Sequence, residues 1–165
     1  MFLLSLQASY LQPQGDFSKI TGPGASLLFG ASYRGLLLEN LVLGAETGFF
    51  FIIPTDDNIT LNMLVPLYLT AAYDFALPWD LFLSPEAGIG YSFNMVLYKE
   101  YDTSSDELED EMDGGFEPIL MGGLALSYRG FRSIAIFMGL RYYGVLEEEG
   151  VIHIMSVSAG VGFRL

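Results

Sequence analysis

Residues 61–74, LNMLVPLYLTAAYD, set Leu61, Met63, Val65, Leu67, Leu69, Ala71 and Tyr73 at alternate positions, with Asn62, Leu64, Pro66, Tyr68, Thr70, Ala72 and Asp74 between them. Residues 81–93 repeat the pattern. Leu81, Leu83, Pro85, Ala87, Ile89, Tyr91 and Phe93 fall on one side, and Phe82, Ser84, Glu86, Gly88, Gly90 and Ser92 on the other. A period of two puts successive side chains on opposite faces of a strand. A soluble barrel fills its inside with the large apolar residues. Here one face is almost unbroken hydrocarbon, while the interrupted face carries glycine, serine and charge. That inversion predicts a transmembrane β-barrel with its apolar side outward.

Composition agrees. The 165 residues fit one domain over 1–165, and 52% of them are hydrophobic. The mean hydropathy of +0.41 is high for a soluble domain. Yet no run of about eighteen uncharged apolar residues exists, so a membrane helix is not available. A hydrophobic chain without one must satisfy its backbone in a closed sheet if it enters lipid. The chain has no cysteine, so no disulfide carries the fold. The opening MFLLSLQASYLQ lacks a basic segment and alternates like a strand. It reads as strand one of a mature chain, with Met1 in place of a removed targeting segment.

Eight strands follow from the alternation: roughly Phe2–Leu11, Ala25–Arg34, Leu41–Ile53, Leu61–Asp74, Leu81–Tyr98, Glu117–Arg129, Ile134–Leu146 and Val151–Leu165. Each meets the nine to eleven residues that a tilted strand needs to cross a bilayer. The even connections (35–40, 75–80, 130–133) are short. The odd ones (12–24, 54–60, 99–116, 147–150) are longer or more polar, as expected of periplasmic turns and extracellular loops. Both termini then lie in the periplasm. Most of the formal charge of −13 falls in the odd connections: Asp16, Asp56 and Asp57, the run from Glu100 to Glu117, and Glu147, Glu148 and Glu149. Arg34, Arg129, Arg132 and Arg164 fall at the other end. Such an acidic rim repels phosphates and excludes nucleic acid as a partner.

The stretches ASYRGLLLENLVLGAETG (31–48), AAYDFALPWDLFLSPEAG (71–88) and LSYRGFRSIAIFMGLRYYG (126–144) echo one another. Each runs strand, outward Tyr followed by a charged residue, turn and strand. Tyr33, Tyr73 and Tyr128 form an expected aromatic girdle at the periplasmic interface, with Tyr10, Phe49, Phe51, Phe93 and Tyr142 in the opposite belt. With these features, and the closing strand SVSAGVGFRL, the chain resembles the small eight-stranded bacterial outer-membrane barrels, the group of the OmpA membrane domain, OmpX and OmpW. The resemblance implies an all-β, eight-stranded antiparallel up-and-down barrel in the outer membrane, surrounded by lipid and inserted by the barrel-assembly machinery. That machinery commonly reads a terminal aromatic residue; here Phe163 faces outward and Leu165 is last.

Inward residues sort into two zones. Glu46, Glu86 and Arg141 occupy equivalent positions in the three echoes, near mid-barrel, with Gln7, Tyr68, Thr70, Ser156 and Ser158 as expected neighbours. Buried carboxylates need a cation, so Arg141 should pair with at least one. The trio is a polar plug on one reading and a gate or proton-linked site on another; a lumen of eight strands, too narrow for an aqueous pore, favours the plug. Above it the inward set turns apolar. Phe50, Ile52, Leu64, Ile119, Met121, Tyr143 and Ile154 form either a hydrophobic ligand cup or a dry core beneath the loops. A cup over a charged floor resembles the OmpW type, which implies binding or passage of small hydrophobic molecules. Pro66, with no amide to give, marks either a weak point in its ladder or a bulge.

Other chemistries find little support. The acidic segment 102–113 lacks an Asp-x-Asp-x-Asp-Gly order and reads as a solvated loop, with Gly114 and Gly115 re-entering the next strand. His153 faces outward and Ser156 inward, so they assemble no nucleophile and base. No cofactor and no metal site is expected. The sequence therefore predicts a non-enzymatic outer-membrane barrel with acidic extracellular loops and an envelope-structural or surface-contact role. Transit or binding of small hydrophobic molecules through the upper lumen is the alternative. A soluble lipid-binding barrel, the rival fold, conflicts with so apolar an exterior.

Overall fold

Every strand named above pairs with its sequence neighbours in the computed structural model, and the sheet closes. The strands are β1 (Phe2–Gln14), β2 (Thr21–Arg34), β3 (Leu41–Pro54), β4 (Ile59–Tyr73), β5 (Phe75–Leu77), β6 (Leu81–Asp102), β7 (Glu107–Tyr128), β8 (Ile134–Glu147) and β9 (Gly150–Arg164). The structure describes residues 1–19, 21–55, 59–102, 107–147 and 150–165, with the backbone alone at 99–102 and 107–111. The short β5 prolongs β4 past Asp74, and both pair with β6, so nine segments make eight staves. β1 pairs antiparallel with β9, which closes the ring and leaves no free edge. No helix among the described residues is long and apolar enough to cross a membrane.

Burial follows the sequence alternation and settles its direction. Leu67, Leu69 and Ile89 are each more than 60% exposed, whereas Tyr68 on the same strand as the two leucines is 1% exposed. Pro66 is fully buried. Apolar side chains cover the outside, as lipid requires. Tyr33, Tyr73 and Tyr128 face outward at one end, and Tyr10, Phe49, Phe51 and Tyr142 toward the other.

The structure departs from the sequence reading in three connections. First, β6 and β7 run 22 residues each, against 13–15 for the other full strands, and stay paired as far as Asp102 opposite Glu107. The segment 99–116 is therefore largely hairpin rather than loop, and Gly114 and Gly115 sit in the ladder opposite Met95 and Asn94. Both faces of this extension lie beyond the membrane, so no apolar alternation announced it. At about 3.3 Å per residue it adds roughly 25 Å of paired chain beyond its neighbours. Side chains at 99–111, and residues 56–58 and 148–149, lie outside the described set, so the acidic runs there are known from the sequence alone. Second, β1 reaches Gln14, and a five-residue 3-10 helix, η1 (Gly15–Lys19), turns the chain into β2. Third, the turn after Asp74 holds β5 and then Trp79 and Asp80, both with positive φ.

The hairpin end is taken as the upper, extracellular one. Beneath it a buried layer of Leu11, Leu28, Phe50, Ile52, Leu64, Ile119, Met121, Tyr143, Val145 and Ile154 crosses the lumen. Tyr143 packs edge-on to Phe50, with ring centroids 5.0 Å apart. Gly90 makes room for Tyr68 on the next strand: a Cβ there would lie 2.5 Å from the Tyr68 Cα.

Candidate functional site

Below the apolar layer the lumen holds charge. Arg141 on β8 reaches across to Glu46 on β3 and Glu86 on β6. Its Nη1 and Nη2 donate to the two oxygens of Glu46 at 2.7 and 3.1 Å. Its Nε and Nη2 donate to the two oxygens of Glu86 at 2.6 and 2.9 Å. Both pairs are thus bidentate, the strong geometry for a guanidinium. The three side chains are no more than 10% exposed. Tyr68 donates its hydroxyl to Glu46 Oε2 at 2.9 Å, and the Gln7 amide donates to Oε1 at 3.4 Å.

Register explains how these residues meet. Gly123 on β7 lies between Glu86 on one neighbouring strand and Arg141 on the other. A Cβ at Gly123 would lie 2.9 Å from both the Arg141 Cγ and the Glu86 Oε1. The missing side chain is the space through which the pair closes. Thr70 lines a small cavity beneath the trio, while Ser156 and Ser158 are buried on β9; Ser156 lies opposite Arg141 in the ladder, and Ser158 donates to the Gly139 carbonyl.

A second charged cluster, which the sequence reading did not assemble, closes the lower end. Asp74, 1% exposed, accepts from Nη1 and Nη2 of Arg129 and from the Ser84 hydroxyl, the last at 2.6 Å. Arg34 Nε lies 3.4 Å from the same carboxylate. Both guanidinium groups rest against the Phe82 ring, 4.4 Å for Arg129 and 5.2 Å for Arg34. Arg164 Nη2 donates to the Arg129 carbonyl. The available signal was the echo itself: the residue after each outward Tyr is Arg34, Asp74 and Arg129, two cations and the anion between them. The two clusters flank a cavity of about 100 Å³ lined by Ser5, Gln7, Thr70, Ser84 and Ser127.

All seven residues of the expected cup, Phe50, Ile52, Leu64, Ile119, Met121, Tyr143 and Ile154, are gathered in the apolar layer at 0–5% exposure. Of these, Leu64 borders a pocket of about 220 Å³ above the layer. His153 sits outside, its ring stacked on Tyr142 and its Nδ1 against the Tyr142 hydroxyl. Ser156 is buried within, so the two point apart.

No family model and no curated protein matches the chain. Solved structures do. Neisserial surface protein A aligns with a TM-score of 0.68 at 18% identity, covering 99% of this chain and 97% of that one. A major outer-membrane protein of Thermus thermophilus aligns at 0.63 and 13%, covering all of both chains. Ail, the attachment invasion locus protein of Yersinia pestis, aligns at 0.60 and 11%, covering 99% and 97%. At these identities the likeness concerns fold. The closed ring of eight staves and its apolar belt are those of the small eight-stranded β-barrels of the bacterial outer membrane.

Proposed function

We propose that this barrel acts at the cell surface by contact, as a closed and non-enzymatic envelope protein whose acidic hairpin meets a basic partner. The observation that carries this reading is the contrast between its two parts. Two charged clusters and an apolar layer fill the lumen at three depths. Meanwhile β6 and β7 project beyond every other strand and carry Glu100, Asp102, Glu107, Glu109, Asp110, Glu111 and Asp113. Anionic lipid headgroups would repel those carboxylates and hold the hairpin away from the membrane. Ail is known in complex with the heparin analogue sucrose octasulfate, a polyanion; the acidic hairpin here has the same sign as that ligand and would repel it. The separation of His153 from Ser156 supports the non-enzymatic reading. In this account the plug is Glu46, Glu86 and Arg141, the barrel's neighbours are membrane lipids, and the outward Phe163 on β9 serves recognition by the barrel-assembly machinery.

The test is a pair of measurements on the folded protein in lipid. In planar bilayers the closed lumen predicts no steady conductance. In nanodiscs the protein should bind a polylysine surface, and a variant with 99–110 replaced by a two-residue turn, joining Tyr98 to its ladder partner Glu111, should lose at least tenfold of that binding. Steady ion flow, or equal binding by the trimmed variant, contradicts the proposal.

A further inference from the structure

The lipid-facing wall of the barrel is not evenly filled. A groove of about 630 Å³ crosses it over β1, β9, β8 and β7 and ends at Leu83 on β6. Ala8 and Ala159 face each other in the ladder and form its floor. Tyr10, Met138, Leu140 and Val157 stand around them, each 53–60% exposed. The groove changes depth as it runs. One row of its lining passes from Ala8 through Ala159, Met138 and Leu126 to Leu83. Staves of a closed barrel tilt, so such a row shifts level as it crosses them. Ala8 lies one outward position below Tyr10 of the upper belt, whereas Leu83 lies opposite Phe75, just past Tyr73 of the lower girdle. The groove thus descends from the upper belt to the periplasmic interface. At about 30 Å³ per non-hydrogen atom it holds roughly twenty, the size of one phospholipid acyl chain.

Charge at the foot of the groove selects the headgroup. The turn 129–133 joins β7 to β8, two of the strands that line it. Arg132 in this turn is exposed and has no hydrogen bond or ion pair among the described residues. The Arg164 amide donates to the Ser133 carbonyl at 2.9 Å, which sets a second arginine beside the turn. That side chain donates to the Arg129 carbonyl and meets no carboxylate among the described residues. Arg129 itself is engaged by Asp74. Arg132 follows Leu126 by six residues, at most about 20 Å of extended chain. One leaflet contributes about 15 Å of hydrocarbon, so a lipid with its phosphate at this rim has its tail at the level of the groove.

From this we infer that the groove is a fixed binding site for one anionic phospholipid of the inner leaflet. One acyl chain lies along Ala8, Ala159 and Met138, and the phosphate meets Arg132 and Arg164 at the periplasmic rim. A guanidinium presents a fork of donors that matches phosphate geometry. In a zwitterionic lipid the headgroup's own ammonium competes with the arginines, so an anionic headgroup is preferred. The site lies on the outer wall and at the far end from the acidic hairpin, so it is independent of the proposed contact role.

Native mass spectrometry of the detergent-folded protein counts the lipids bound per chain. Phosphatidylglycerol should bind saturably at one per barrel, at least fivefold more tightly than phosphatidylcholine with the same chains. Arg132→Gln, a change in an exposed turn, should bring the two lipids to the same affinity. Ala159→Phe should fill the floor and weaken both at least fivefold while the barrel keeps its heat-modifiable gel mobility. Ala8→Leu gives the same reading where the first groove variant does not fold. Inorganic phosphate at the lipid's concentration should displace nothing. Equal affinity for the two lipids, unchanged phosphatidylglycerol binding in Arg132→Gln or in a folded groove variant, no saturation, or displacement by free phosphate overturns the inference. So does a dimer that Ala159→Phe dissolves, which assigns the groove to a second copy of the chain.

Discussion

Arg141 holds two carboxylates that have no other cation within reach among the described residues. Removing it leaves Glu46 and Glu86 charged, close and poorly solvated. Arg141→Met is therefore expected to lower unfolding free energy by about 3–5 kcal/mol, the usual cost of an orphaned buried charge. Urea titration of the detergent-folded barrel, followed by circular dichroism, measures it. Combining the change with Glu46→Gln and Glu86→Gln removes the uncompensated charges and should restore most of the loss. A single variant less than about 1 kcal/mol below the parent would show that the trio is not closed in solution. At this scale the sequence showed which residues carry charge and which way they face. It did not show that Asp74 would sit between Arg34 and Arg129, because that contact joins the ends of staves far apart in the chain.

The strands were legible wherever one face met lipid. Leu61–Asp74 was bounded from sequence within two residues at its start, and its side chains were correctly divided between faces. Legibility failed above the membrane. The hairpin extension of β6 and β7 has no lipid face, so its sequence lacks the contrast from which a strand is read. The same fact predicts how the molecule tolerates losing it. Replacing 99–110 with a two-residue turn joins Tyr98 to its ladder partner Glu111 and removes paired backbone that runs beyond the other strands. The barrel should retain its unfolding free energy in urea to within about 1 kcal/mol, in line with changes at exposed sites. Failure of the trimmed chain to fold in detergent would place the hairpin within the cooperative unit of the barrel.

For the molecule as a whole, orientation of the apolar side chains governs everything else. Leu67 lies on the lipid face beside the Glu46 level, opposite Thr47 in the ladder. Leu67→Arg should cost about 2–4 kcal/mol in a bilayer, as a cation near the midplane does. The same change at Phe131, exposed in a turn at the barrel end, should cost no more than about 1 kcal/mol. Equal, small effects at both positions would mean an exterior facing water. The sequence alone determined the period of two, the direction of the apolar face and hence a closed barrel in lipid. These are properties of neighbouring residues and of the solvent each face requires. Only the tertiary structure decided which inward groups touch: the bidentate trio through the gap at Gly123, the Asp74 lock, and the buried layer with a small pocket above it. Such contacts depend on shear and on which staves face one another across the lumen, and no local pattern encodes either.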